Sequence, residues 1–518
     1  MTQILHYEDD DRPRTPPTPT SPPTPTPTPA PAPAPDETPD ETPAAPRPLP
    51  ARARWAVLAV VLAADVLDLL DGTITNIAAP TIARDLGGGQ SLVQWLGAAY
   101  ALALGVLLVP GARLGDKYGR RRLFLTGLAG FVAASAACGL APDPTALVLA
   151  RLVQGAFGAL VIPQGFGILA ATWPRDRIGQ AFSLFGPVMG LSAVSGPVLA
   201  GLLVDADLAG LGWRPMFLIN LLLGGAALLA AVRLLPRDPG SRDTVVDGAG
   251  AALLGGAMLC LLGGLIDGSA RGAPPGGGPA EAGPAARPIT LLLLGLALSA
   301  AFWHRQRTAA HPLLRPSLLR HRGFTSGLLL GITTFAAVSG LLYAVSLYLQ
   351  QGLGRSPAGA ALGLVPLSAG IVVASIACYR LIHAFGRRLV ATGLLIILAG
   401  CAALLLLCAL GRTGAWELVP PLFVVGVGMG TCFGTVYDVT IGDIAPEEAG
   451  SASGSLNAVQ QLANALGAAA VTTVYFRAAG HGETHAMTVS LTVVAGAVAL
   501  CLPFVRLLPR RAPEEHGH

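Results

Sequence analysis

The residues able to do chemistry in this 518-residue chain begin with three carboxylates inside an apolar run, WAVLAVVLAADVLDLLDGTITNIAAP, from Trp55 to Pro80. A bilayer core of roughly 30 Å takes about 20 apolar residues as helix, and this run supplies them. It also carries Asp65, Asp68 and Asp71. An acidic group at the centre of a lone membrane helix costs about 2.5–3.5 kcal/mol, so such groups face protein or water and mark proton or cation paths. Their spacing predicts a row along one side of the helix, with axial steps of about 4.5 Å. Three acids that close in a low dielectric do not all ionise, so at least one is expected to hold a proton near neutral pH.

Arg151, in ARLVQGAFGALVIPQ, is the basic counterpart. If its helix enters near Thr145, Arg151 lies about 9 Å down, and Asp71 lies about 13 Å below Pro80, so the two match in depth. Pairing would offset part of the burial cost, and a static structural ion pair is the competing reading. Asp438, beside Tyr437, is a fourth intramembrane acid, placed either for function or to snorkel to the nearby interface. Asn457, Gln460, Gln461 and Asn464 give one helix a polar face that lines a cavity or bonds to neighbouring helices. HGETH (481–485) lacks a fourth ligand and reads as solvated surface, so no metal and no cofactor is assigned. No G-x-x-x-x-G-K-[ST] loop is present, so ATP does not drive the protein directly. No histidine lies mid-helix, which leaves any protons to the carboxylates.

The elements that must hold these groups are membrane helices. The chain is 52% hydrophobic and 12% charged with mean hydropathy +0.59, against about 25% charged in soluble domains. A net charge of +4 is too small to suggest nucleic acid. Lys117 is the only lysine among 34 basic residues, a codon bias pointing to a GC-rich, bacterial source. The seven cysteines (138, 260, 378, 401, 408, 432, 501) sit in apolar runs without CxxC spacing and read as small core residues. Residues 1–50 form a Pro/Thr/Ala tract, expected to be a disordered tail rather than a signal peptide, serving as a linker or a docking segment.

Apolar runs near 55–79, 92–111, 123–140, 145–171, 180–203, 214–235, 247–266, 288–304, 324–349, 358–381, 389–411, 416–440, 452–476 and 487–508 predict fourteen helices. Arginines concentrate in the breaks at 112–122, 172–179, 233–246, 305–322 and 380–388, placing those breaks and both termini in the cytoplasm. ARLGDKYGRRRLFLTG (112–127) matches YRLIHAFGRRLVATG (379–393), pairing Leu114 with Leu381, Gly119 with Gly386, and Arg120 and Arg121 with Arg387 and Arg388. That repeat predicts an all-α polytopic protein of two six-helix halves with a two-helix insertion. The expected divisions are 1–50 tail, 51–236 first bundle, 237–306 linker with the inserted pair, 307–508 second bundle and 509–518 tail.

Leu114, Gly115, Asp116, Gly119, Arg120 and Arg121 form L-G-D-x-x-G-R-R, which resembles the cytoplasmic loop motif of the major facilitator superfamily. Gly119 suits a tight turn, Asp116 can accept from the amides opening a facing helix, and the arginines can take Asp or helix-end carbonyls of the partner half. A positive-inside loop alone is the blander reading. Arg151, Gln154 and Gly155 match that family's fourth-helix motif. In GPVMGLSAVSGPVLAGLL, Gly190, Gly196, Pro197 and Gly201 match the fifth-helix antiporter motif of its drug exporters, although glycine packing alone is the simpler account. Ala112, His383 and Ala200 depart from the family pattern.

GWRPMFLINLLLG (212–224, with Asn220), HPLLRPSLLRHRGF (311–324), YLQQGLGRSPAGAALGLVPLSAG (348–370) and APEEAGSASGSLNAVQQLANALGAA (445–469) resemble its fourteen-helix drug:proton antiporter branch. Asp71 falls on that branch's first-helix acid, while Asp65 and Asp68 have no counterpart. The resemblance implies a monomeric, non-enzymatic exporter in the cell membrane, exchanging protons for amphipathic or cationic organic compounds by alternating access. Gln154, Asn220, Asp438, Asn457 and Gln461 are the expected cavity residues. A nutrient symporter or uniporter is the nearest alternative. A membrane sensor or intramembrane enzyme is another, but no added soluble domain or nucleophile–base set is visible.

Overall fold

Why the chain is all helix follows from its solvent: in lipid every backbone N–H and C=O needs an internal partner, and a helix provides one within a single segment. A computed structural model describes residues 50–508 apart from 175–176, 241–244, 271–285, 315, 379–384, 442–443 and 445. The expected terminal tails, Leu381 and His383 lie outside the described residues, as do the surroundings of Gly190 and the side chain of Asp438.

The helices are α1 (Ala51–Asp85), α2 (Gly89–Tyr118), α3 (Arg120–Gly139), α4 (Pro144–Thr172), α5 (Ile178–Asp205) and α6 (Pro215–Leu234). There follow α7 (Gly248–Ala270), α8 (Ala286–Thr308), α9 (Arg322–Leu347), α10 (Pro357–Cys378), α11 (Arg387–Ala409), α12 (Val419–Ile441), α13 (Pro446–Ala479) and α14 (Glu483–Phe504). Ten helices among the described residues are long and apolar enough to cross a membrane. α1 misses that mark through its carboxylates and α13 through its amides; α5 and α12 contribute the shorter apolar stretches Ser195–Asp205 and Val419–Phe433.

Two boundaries differ from the sequence expectation. α1 continues through Pro80 to Asp85, because a proline deletes only one N–H and neighbouring helices support the bend. The expected polar break at 112–122 is almost entirely helical: α2 runs to Tyr118 and α3 starts at Arg120. Only Gly119 intervenes, at φ +95°, a conformation that glycine reaches without a Cβ clash. Gly386, its partner in the repeat, also has positive φ, at +45°, and precedes α11 in the same way.

At the arginine-poor end, α1–α6 and α9–α14 share one apolar core. Ile74, Ile77, Leu92 and Leu96 join Leu341, Ala344, Tyr348 and Tyr475 there. At the arginine-rich end the cores separate. Leu58, Val61, Phe124, Ile168 and Leu169 cluster within α1–α6, taking in only Ala458 from the later helices. Leu318, Phe324, Leu328 and Leu456 form their own cluster. α7 and α8 pack on each other, and α7 also lies against α2 and α13 through Leu262 and Ile266.

Candidate functional site

Helical geometry separates the three acids of α1. Residues three apart drift by about 60° around a helix, since three steps of about 100° fall short of a full turn. The expected single row is therefore a spiral, and each acid meets different neighbours. Asp71 turns inward among α3, α4 and α6, where it is 2% exposed. Its Oδ2 pairs with the Arg151 guanidinium. Its Oδ1 accepts from Gln154 Nε2 at 2.8 Å and Asn220 Nδ2 at 2.7 Å. Ser135 Oγ receives the same two amides, at 2.7 and 3.3 Å. Arg151, itself 1% exposed, also donates to Gln154 Oε1 at 2.7 Å.

The i, i+3 spacing of Arg151 and Gln154 puts both on one face of α4, the face turned to α1. A buried ion pair repays its desolvation only when the remaining donors and lone pairs are filled, and the amides of Gln154 and Asn220 do that here. Arg151 Nε is the exception and has no hydrogen-bond partner. Aromatic faces flank the guanidinium instead, with Tyr100 at 4.6 Å and Phe217 at 5.7 Å to the ring centroids.

Asp68, half-buried, accepts from the Tyr100 hydroxyl. Tyr100 thus touches the counter-ion of one acid with its ring and another acid with its hydroxyl. A Cβ on Gly158 would stand 2.8 Å from that hydroxyl, so glycine keeps room for the contact. A small pocket beside Asp68 is lined by Ala64, Leu67, Phe131, Gly158 and Val161. Asp65 is buried, and its Oδ2 has no hydrogen-bond partner. Sequence reasoning missed Ser135 and Tyr100. A serine or tyrosine in an apolar run carries no signal until its neighbours across the bundle are known.

The loop motif is a set of helix-end clamps. Asp116 takes Arg120 at 3.0 Å and its side chain stays 49% exposed, rather than meeting the amides of a facing helix. At this end the cores of α1–α6 and α9–α14 stand apart. Arg120 reaches Gly167 O at 2.9 Å and Arg121 reaches Val232 O at 2.6 Å, so these arginines bind carbonyls of their own six helices. Among the described residues, Arg113 of this motif region reaches further along the chain, to Pro312 O at 2.8 Å. The second copy repeats the device: Arg387 donates to Arg506 O at 3.1 Å, just past the end of α14, as Arg121 does near the end of α6. Leu114 is half-buried on α2, and the place of a Gly115 side chain is taken by the Gln164 amide, which donates to Gly111 O at 2.9 Å.

In α5, Gly196 and Gly201 are contact points. A Cβ on Gly196 would collide with Thr73 Oγ1 of α1, and one on Gly201 with the Ala358 backbone of α10. Pro197 between them is half-buried. On α13, Asn457 is half-buried, and Gln461 sits where Gly105 of α2 faces Ala458 and Leu462. Among the described residues neither joins the hydrogen bonds around Asp71.

The profile of the Major Facilitator Superfamily matches residues 61–468. A probable actinorhodin transporter of Streptomyces coelicolor is 42% identical over 84% of this chain and 75% of that protein. The puromycin resistance protein pur8 of Streptomyces alboniger is 35% identical over 87% and 88%. The tetracenomycin C resistance and export protein of Streptomyces glaucescens is 33% identical over 80% and 74%. Among solved structures, the human organic anion transporter MFSD10 aligns with a TM-score of 0.59 at 19% identity, covering 88% of this chain and 100% of that one. A peptide transporter with bound sulfate gives 0.63 at 15% identity, covering 87% and 95%. At those identities the likeness concerns the fold alone.

Proposed function

The chain belongs to the Major Facilitator Superfamily, and from that premise we propose that it is a proton-coupled antiporter exporting amphipathic organic compounds of the antibiotic type. It is a multi-span membrane transporter rather than an enzyme. The observation that carries the coupling mechanism is the buried Asp71–Arg151 pair, held by neutral amides in the middle of a membrane bundle. Protonating Asp71 removes the counter-charge of Arg151 and forces the five-residue network to rearrange. A cargo group that competes for the same carboxylate does likewise. Exchange then follows from competition at one acid, with Asp68 modulating it through Tyr100.

All fourteen helices cross the bilayer in this reading, with both termini in the cytoplasm. Residues 51–236 and 307–508 move as two bundles, 237–306 carry the inserted pair, and the protein works as a monomer. Gly196 and Gly201 support alternating access by letting α5 pack closely on α1 and α10. Export of antibiotics is supported by the relatives, whose names record export of, or resistance to, such compounds. Purified protein in proteoliposomes should move ethidium against an imposed pH gradient, and Asp71→Asn should remove that movement while leaving the protein folded. Undiminished ethidium movement by the variant would sink the coupling assignment.

A further inference from the structure

The face of α1 that the Asp71 network does not use carries two polar atoms with nothing to bind. At about 100° per residue, Asp65, Leu69, Gly72 and Asn76 fall within about 60° of arc. The rest of the α1 circumference in this stretch is occupied. Asp71 meets α3, α4 and α6. Asp68 meets Tyr100 of α2. Thr73 meets Gly196 of α5. The strip lies on the remaining arc, between Asp68 and Thr73.

Three separate observations fall on this strip. Asp65 is 9% exposed, and its Oδ2 is buried without a partner. The amide oxygen of Asn76 is likewise buried and unpartnered. Between them, apart from Gly72's chain neighbours and the adjacent backbone of α1, no described atom lies within 4 Å of where a Gly72 Cβ would stand. Buried polar atoms are nearly always hydrogen-bonded, and each one left alone costs about 1–3 kcal/mol. Two such atoms on one helix face, either side of a glycine on which no side chain packs, mark a surface that something else completes.

We propose that Asp65, Gly72 and Asn76 form the cargo-contact strip of the transporter, selecting flat molecules that carry hydrogen-bond donors such as amino groups. Both orphaned atoms are acceptors, so the group that satisfies them is a donor. Gly72 supplies a bare backbone surface against which a ring lies without meeting a side chain. Asp65 and Asn76 are 11 residues apart, about 16 Å along the axis, so one occupant spans the strip or engages an end and the glycine. The assignment rests on the export reading and names what that export site recognises. It adds a cargo contact at Asp65 to the competition between cargo and proton at Asp71.

The test uses the full-length protein in detergent and two cationic probes. Ethidium is flat and carries amine donors; tetraphenylphosphonium has none. Binding of each is measured for wild type, Asn76→Ala, Asn76→Asp and Asp65→Asn, with thermal melts confirming that each variant is folded. Asn76→Ala should lower the ethidium-to-tetraphenylphosphonium affinity ratio up to about tenfold, the effect of one lost hydrogen bond to an amino group. Asn76→Asp keeps an acceptor and should restore the ratio, which a merely structural role would not do. Asp65→Asn keeps an acceptor and removes a charge that favours both cations, so it should lower both affinities with less change in the ratio. An unchanged ratio in Asn76→Ala, or a wild type that binds neither probe, overturns the strip. Failure of the export reading shows differently: ethidium binds with the expected variant pattern, yet no pH gradient moves it in proteoliposomes.

Discussion

The two ends of the bundle are built from the same kinds of residue and behave as opposites. At the arginine-poor end, apolar side chains from α1, α2, α9 and α13 merge into one core. Polar groups close the seam around it. Ser356 donates to Asp205 at 2.7 Å, Gln350 donates to Ile77 O at 3.0 Å, and Gly201 gives up its side chain to the Ala358 backbone. At the arginine-rich end, by contrast, the first six helices and the last six keep separate cores. Arg120, Arg121 and Arg387 there point back into their own helices, while Arg113 crosses to Pro312 O. One end carries a continuous apolar contact between the first six helices and the last six, and at the other the two sets keep separate clusters.

The largest effect should come from fixing the arginine-poor end. Asp205→Cys combined with Ser356→Cys places two thiols where carboxylate and hydroxyl now touch. Oxidation should join them, and transport should fall to background until a reductant is added. Full activity in the oxidised, cross-linked protein would mean that this end never opens and that the comparison between ends is static. The next effect runs the other way. Gly201→Leu pushes a side chain into the Ala358 backbone, so the closed contact cannot form as it stands. Turnover should drop about tenfold, with ethidium binding retained, because a backbone neighbour cannot yield as a flexible side chain does.

How much of this was legible in the sequence divides along the same physical line. Apolar runs and arginine spacing showed where helices would lie, because lipid leaves the backbone no other choice. The depth match of Asp71 and Arg151 was also readable, since axial rise depends only on residue count. What the sequence concealed was everything angular. The three acids looked equivalent until their drift around α1 sent them to α3, α4 and α6, to Tyr100, and to the strip with Asn76. Asp116 illustrates a second limit: its sequence fits a contact with a facing helix, yet here it takes Arg120. A motif can suit two partners, and a sequence does not say which one is taken.

A smaller effect is expected at the arginine-rich end from Arg113, which ties α2 to Val245 O at 3.4 Å and Pro312 O at 2.8 Å. Arg113→Ala should change turnover a few-fold and lower stability modestly, because it takes a donor from the carbonyl of the buried Pro312. If it abolished transport, the arginine-rich end would be as tightly coupled as the other.

The smallest effect lies next to Arg113, at the foot of α7, and its sign is fixed by pH. Asp247 Oδ1 accepts from the Gly250 amide at 2.9 Å and from Arg305 at 2.7 and 2.9 Å. Burial pushes the Asp247 carboxyl up, but the Arg305 and Gly250 hydrogen bonds, with the charges of Arg305 and Arg113, outweigh it and hold the group below the usual carboxylate range. A carboxyl depressed on folding stabilises the folded protein above its unfolded pKa of about 3.9, and that contribution fades as pH falls toward the folded value. Asp247→Asn should therefore melt about a degree below wild type at neutral pH, a modest difference because the Arg305 side chain is 40% exposed. The gap should hold from pH 7 to about 5 and close as pH drops through 4 and below. A gap that instead widened with acid would mean that Asp247 is strained by its burial rather than held by Arg305, and that α7 and α8 are not anchored by charge at this end.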